Sequence, residues 1–189
     1  MENIIKKAIS EHKDGLKFLE ANQAAIKEIS SLFISTLEAG GKIIFAGNGG
    51  SAADAQHLAA ELVGRFKKDR IPLAAIALST NTSILTAIGN DFGFDEVFAR
   101  QIKALAQQKD IFVGISTSGK SKNITKAVEA AKQQGIRCVG FLGRDGGDLK
   151  TRVDIALTIP HEQTPCIQEM HILAGHIICA IVEKHFLEK

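Results

Sequence analysis

His57 and Glu61 stand four residues apart, so on a helix they share one face, where an imidazole and a carboxylate can hold one metal ion between them. Arg65 extends that face by another turn. A metal would need further ligands from elsewhere, and the C-terminal stretch offers Gln168-Glu169-Met170-His171 followed by His176. An oxygen donor and an imidazole eight residues apart lie roughly 80° apart around a helix. That geometry does not choose between Gln168 and Glu169, or between His171 and His176. The plain alternatives are a solvated i, i+4 charge pair at His57 and Glu61, and a core helix whose histidines are satisfied by hydrogen bonds.

Two loops are built for ligands. Gly114 to Ser121 reads Gly-Ile-Ser-Thr-Ser-Gly-Lys-Ser, a formal P-loop match between the apolar run Ile111-Phe112-Val113 and a helix expected over Thr125 to Gln134. Backbone N–H groups and a helix N-terminus there can cradle a phosphate. A nucleoside triphosphatase would also need a magnesium-holding carboxylate at the end of a neighbouring strand, whereas the candidate strands end in Leu78-Ser79, Leu142-Gly143 and Ile159-Pro160. Ser116, Thr117, Ser118 and Ser121 supply hydroxyls enough to encircle a phosphate monoester without metal, which leaves Lys120 an incidental surface charge. The second loop, Gly47-Asn48-Gly49-Gly50-Ser51-Ala52, opens a helix and lets backbone approach a ligand closely. It imitates a dinucleotide fingerprint, but the next strand ends without the acidic residue that would grip a ribose.

The elements that must position these groups alternate. Strand-like runs at Lys42–Ala46, Leu73–Leu78, Ile111–Ile115, Ile136–Leu142 and Val153–Ile159 are separated by helical stretches, which predicts an α/β fold with a five-stranded parallel sheet flanked by helices in three layers. Ile5, Ile9, Leu16 and Leu19, then Ile26, Ile29, Phe33 and Leu37, keep a helical period up to Gly40-Gly41. Residues 1–40 thus form a helical extension, matched by a long helix from about Gln163 to Phe186, and both offer surface for packing between subunits. With 189 residues the chain is expected to be a single domain. The 23 basic and 21 acidic residues are interspersed, and there is no Trp or Tyr to stack bases, so no nucleic acid partner is expected. Cys138, Cys166 and Cys179 show no metal or disulfide spacing, and Cys166 reads as a buried small residue. The N-terminus has no signal-like apolar core, and the uncharged stretch 71–90 is broken by Pro72 and a polar run, so the expectation is a cytoplasmic protein without a membrane span.

Taken in order, Gly47-Asn48-Gly49-Gly50-Ser51, His57-x-x-x-Glu61, Asn90-Asp91, Ser116-Thr117-Ser118-Gly119 and Gln168-Glu169-x-His171 with His176 resemble the phosphoheptose isomerases of the sugar isomerase (SIS) family over nearly the whole chain. The resemblance implies a homotetramer of single SIS domains with active sites between subunits, one zinc ion per subunit, and a sugar phosphate substrate. It makes His57, Glu61, Gln168 and His176 the metal ligands, with Glu61 and His176 also catalytic. It assigns the phosphate to Ser116, Thr117, Ser118 and Ser121, and the rest of the substrate to Asn48, Gly49, Gly50, Ser51, Arg65, Asn90, Asp91 and Gln168. Where relatives often carry Asn in the phosphate loop, this chain has Lys120. The implied reaction converts sedoheptulose 7-phosphate to D-glycero-D-manno-heptose 7-phosphate, the start of heptose supply for lipopolysaccharide or capsule. Such an aldose–ketose isomerisation needs a base at carbon and help for a developing oxyanion, which suits these residue types. A rival from the same fold is a non-catalytic scaffold that binds the replication initiator, which would not need Glu61 and His176 together. A sugar-phosphate-sensing regulator would need a DNA-reading domain, for which the N-terminal forty residues offer no basic face.

Overall fold

Five apolar runs pair into one parallel sheet in the computed structural model, which describes residues 1–188. The strands are β1 (Ile43–Gly47), β2 (Ala75–Ala77), β3 (Ile111–Ser116), β4 (Arg137–Gly143) and β5 (Ile155–Ile159), in spatial order β2-β1-β3-β4-β5. Every residue of β1 and β3 is buried, as expected where helices cover both faces of a parallel sheet. Alternate residues point to opposite sides. Ile43 and Phe45 join the core under α2 (Gln23–Glu38), α3 (Gly50–Val63) and α7 (Thr164–Leu187), while Ile44 and Ala46 face α5 (Ala99–Leu105) and α6 (Lys122–Gln133). The α/β architecture read from the sequence is therefore observed.

The N-terminal forty residues are two helices, in keeping with the two periodic stretches, α1 (Glu2–Ala21) and α2, broken at Asn22, whose side-chain amide donates to the Phe18 carbonyl at 2.7 Å. The differences have local causes. The second strand is only three residues long because the Leu73 N–H is drawn to the Leu62 carbonyl at the end of α3. Between β2 and β3 the chain makes an unanticipated helix, α4 (Thr82–Phe92), started by Asn81, whose side chain accepts from the Ile84 N–H. No residue of α4 is buried, and Phe92 and Phe94 beside its end are more than half exposed. By length and composition α7 could cross a membrane, yet half of its apolar window is buried inside the fold. It is the central core helix, with Ile167, Met170, Ala174, Ile178 and Val182 against the sheet side.

The strand order changes direction between β1 and β3, which run side by side with Ala46 opposite Gly114 and Gly47 opposite Ile115. Chain leaving β1 and chain leaving β3 diverge there, opening a crevice at the carboxyl ends of the strands. Both ligand loops read from the sequence flank it.

Candidate active site

Helices α3 and α7 run side by side in the same direction, Gly50 against Gln168 near their starts and Leu58 against Gly175 further along. At Gly175 a Cβ would lie 2.5 Å from Leu58 Cδ2, so any larger residue there would push the buried Leu58 side chain aside. The approach brings His176 to His57 and Glu61. His57 Nε2 lies 3.0 Å from Glu61 Oε1, and the His57 and His176 rings meet edge to face with centroids 4.9 Å apart. One ligand atom from each of His57, Glu61 and His176 lies within 4.8 Å of the other two. His176 Nε2 is buried and has no protein partner, as a nitrogen awaiting a ligand would be. Burial holds the His176 imidazole below its ordinary value, helped by the charges of His57 and Lys67 and opposed by Glu61, so it stays in the neutral form that binds metals.

The rest of the C-terminal helix divides its polar residues between tasks. His171 is fully buried and donates from Nε2 to the Leu142 carbonyl at 2.9 Å, fastening α7 to β4. Burial pushes its imidazole down to about 4. Glu169 turns toward α1 and pairs with His12 at 3.1 Å. Of the two histidines it is therefore His176 that meets His57 and Glu61, and of the two oxygen donors Glu169 is taken by His12. Gln168, however, is eight residues from His176, roughly 12 Å along the axis. Its amide fills the space over Gly50. Cys166 is buried, with burial raising its thiol and Sγ 3.5 Å from the Glu11 carbonyl.

Arg65 does not extend the helix face as its spacing suggested. The third helix ends at Val63, and Arg65 lies beyond it in an exposed loop. The helix stops because the Arg70 guanidinium takes its last carbonyls, donating to Glu61 O and Leu62 O at 2.7 Å each. The buried Glu183 of α7 then draws in the N–H groups of Phe66, Lys67 and Lys68 at 2.9 to 3.2 Å. This loop lays the Phe66 ring over His176, centroids 5.6 Å apart.

The serine loop closes on itself at the end of β3. The Ser116 and Ser121 hydroxyls are 2.8 Å apart, and Ser121 occupies the N-cap of α6 without spending its side chain on a cap bond. The N-terminus of α6 thus begins beside the hydroxyls of the loop, an anion-binding arrangement. Gly119 has φ +64° and backs onto Gly146, whose carbonyl a Cβ there would meet at 2.0 Å, so the loop is wedged from behind and must carry glycine at this turn. Lys120 is exposed and leans over Gly147.

Asn90 and Asp91 sit exposed on the end of α4, joined to each other at 2.8 Å. Among the described residues no hydrogen bond or ion pair ties Asn90, Asp91 or Arg65 to the triad or to either loop. Two polar residues escaped the sequence reading. Asp54, one turn before His57, keeps Oδ2 buried without a partner, and burial raises its carboxyl to about 6 against the pull of His57. Asn123 is 3% exposed and bonded to Asn48. An acid three residues before a histidine could have been noticed by spacing; nothing local marked Asn123.

An α/β fold with a phosphate-type loop at the sheet crevice and a two-imidazole, one-carboxylate cluster beside it defines a sugar-phosphate-processing class of protein. Residues 9–143 match the SIS domain family model. The chain is 53% identical to the phosphoheptose isomerase of Helicobacter pylori strain P12 over 190 aligned residues, covering 100% of this chain and 99% of the relative. It is 54% identical to that of Geobacter sulfurreducens over 170 residues, 89% and 90% of the two chains. The solved structure of phosphoheptose isomerase GmhA from Neisseria gonorrhoeae superposes with a TM-score of 0.92 at 41% identity, covering 97% of this chain and 98% of that one. The chain belongs to the phosphoheptose isomerases of the SIS domain family.

Proposed function

We propose that this protein is an aldose–ketose isomerase that interconverts sedoheptulose 7-phosphate and D-glycero-D-manno-heptose 7-phosphate through an enediol. The observation that carries the reading is the convergence of His57, Glu61 and His176 from two helices beside the crevice. Relatives that share over half of their residues with this chain bear the isomerase name, and none of this favours the initiator-binding scaffold. The whole chain, residues 1–189, acts in this reading as one SIS domain.

Ser116, Thr117, Ser118 and Ser121 hold the phosphate by hydroxyls and first-turn amides, which anchors the sugar far from the reacting carbons and supplies orientation. Asn48, Gly49, Gly50, Ser51 and Gln168 line the sugar end, where Gln168 already lies against Gly50. Glu61 takes the proton from C1 of the ketose and returns it to C2. His176, neutral in its buried seat, accepts the proton of the C1 hydroxyl and delivers one to the oxygen on C2, so that the carbonyl moves to C1 without net change in protons. Phe66 covers the His176 ring and limits its contact with water.

The donor set suits zinc, one ion per subunit: two imidazoles and a carboxylate leave a coordination position open, as catalytic zinc sites do. Bound there, zinc would polarise the substrate carbonyl as a Lewis acid, and Glu61 and His176 would act as bases once substrate displaces them from the ion. Gln168 is the further ligand in this reading, and the assembly is a homotetramer with sites shared between subunits. Such an assembly would also cover the exposed Phe92 and Phe94 next to Asn90 and Asp91, and would bring those two residues and Arg65 to a substrate in another chain. The product would serve lipopolysaccharide or capsule assembly from the cytoplasm.

The test incubates the protein with sedoheptulose 7-phosphate in deuterated water and follows the aldose by NMR, with and without a chelator. Aldose bearing deuterium at C2, lost on chelation, supports the enediol and the metal together. Absence of aldose even with added zinc would overturn the reading.

A further inference from the structure

Asn48 and Asn123 form a closed amide pair. Asn48 Nδ2 donates to Asn123 Oδ1 at 2.9 Å, and Asn123 Nδ2 donates to Asn48 Oδ1 at 2.8 Å. Asn123 Oδ1 also accepts from the Ile124 N–H at 2.9 Å. A backbone N–H can only donate, so that third bond determines which end of the Asn123 amide is oxygen, and complementarity then orients Asn48. The partners are 75 residues apart in sequence. One lies in the glycine loop after β1, the other in the first turn of α6, directly behind the serine loop.

The glycine loop has few other restraints. Gly49 sits at φ +55° with nothing near a Cβ position, Gly49 and Gly50 are exposed, Gly50 is touched by the flexible Gln168 amide, and the remaining backbone bonds of the loop are its own turns, Ser51 N–H to Asn48 O and the Ala52 and Ala53 N–H groups to Gly49 O. The reciprocal pair is the side-chain tie between this loop and the element that carries the phosphate loop. Two mutually oriented amide bonds in a largely desolvated place are stiff, because either amide left alone would lose partners that water cannot fully replace.

We propose that Asn123 is a positioning residue that holds the sugar-lining loop Asn48–Ser51 at a set distance from the phosphate loop Ser116–Ser121. Phosphate seated in one loop then places C1 and C2 correctly only while the other loop keeps its register. The proposal rests on the isomerase reading for its kinetic consequence, and on the structure alone for its effect on the loop.

Two variants test it. Asn123→Ala removes both bonds of the pair. Asn123→Asp keeps the shape and the acceptor but sets a carboxylate oxygen where Asn48 Oδ1 needs a donor, so a merely space-filling role would tolerate it. Both variants are expected to lower kcat by about 10- to 100-fold, while KM and the inhibition constant of inorganic phosphate change by less than about threefold. Hydrogen–deuterium exchange in the peptide covering residues 47–52, measured without substrate under conditions where each variant is folded, should quicken in both. Should the alanine variant fail to fold, the isosteric aspartate variant decides the matter. Parental kcat in the aspartate variant, or a rise in KM and the phosphate constant with kcat intact, would overturn the proposal, as would unchanged exchange at residues 47–52. If the parent protein itself produces no aldose, the isomerase reading fails, and the exchange measurement still decides whether the pair holds the loop.

Discussion

Gly50→Ala separates what the site needs from what the fold needs. Gly50 opens α3 without a positive φ, so alanine can adopt its backbone, and alanine is favoured over glycine within a helix by about 0.5 to 1 kcal/mol. The new Cβ would stand 2.6, 2.7 and 2.8 Å from Nε2, Oε1 and Cδ of Gln168. Carbon contacts settle at about 3.5 to 4.0 Å, so the amide must retreat by roughly 1 Å. These atoms end a flexible side chain, and the retreat costs the fold little. Urea unfolding should therefore return a stability within about 1 kcal/mol of the parent. Catalysis is less forgiving, since a misplacement of roughly 1 Å can cost about 100-fold, equivalent to about 2.7 kcal/mol of transition-state stabilisation. Initial rates with sedoheptulose 7-phosphate across a range of concentrations should show kcat/KM reduced by about that factor. Undiminished kcat/KM would refute the role given to Gln168 over Gly50. A stability loss above about 3 kcal/mol would instead refute the view that its amide yields easily.

Other outcomes follow from the buried and catalytic groups. His171 is fully buried with its imidazole pushed from 6.5 down to about 4, so the unfolded chain takes up the proton first as pH falls. Its contribution is fully present above pH 6.5 and is lost progressively toward pH 4, about 3 kcal/mol at 1.36 kcal/mol per pH unit. Urea midpoints measured from pH 7.5 to 4.5 should show this slope in the parent and a shallower one in His171→Gln; equal slopes would contradict the assignment. Glu61→Gln preserves the shape of the triad but removes its base. Turnover should fall by about 1,000-fold or more, zinc titration should report weaker binding, and the melting temperature of the metal-free protein should stay close to the parent. Turnover near the parental rate would remove Glu61 from its role.

Much of the architecture was legible because it is local. Ile43-Ile44-Phe45 and Ile111-Phe112-Val113 read as strands because a parallel strand buried on both faces is a continuous apolar run. The glycine and serine loops showed themselves by composition, and His57 with Glu61 by a spacing that any helix turns into a shared face. These are properties of neighbours in the chain, so periodicity and residue type suffice to find them.

The roles along α7 were not legible in that way. Whether His171 or His176 meets His57 depends on how α7 is rotated against the sheet, and that follows from the closeness of Gly175 to Leu58 and the bond from His171 to Leu142. Likewise the end of α3, and with it the place of Arg65, is set by Arg70 and by a Glu183 that lies 117 residues beyond Phe66. The pairing of Asn48 with Asn123 joins two loops that only the β1–β3 neighbourhood brings together. The chain by itself determined the sheet, the two ligand loops and the presence of donors of the right chemistry. Which donors share a site was decided by packing between distant segments, because side-chain convergence depends on helix rotation and separation that no local pattern encodes.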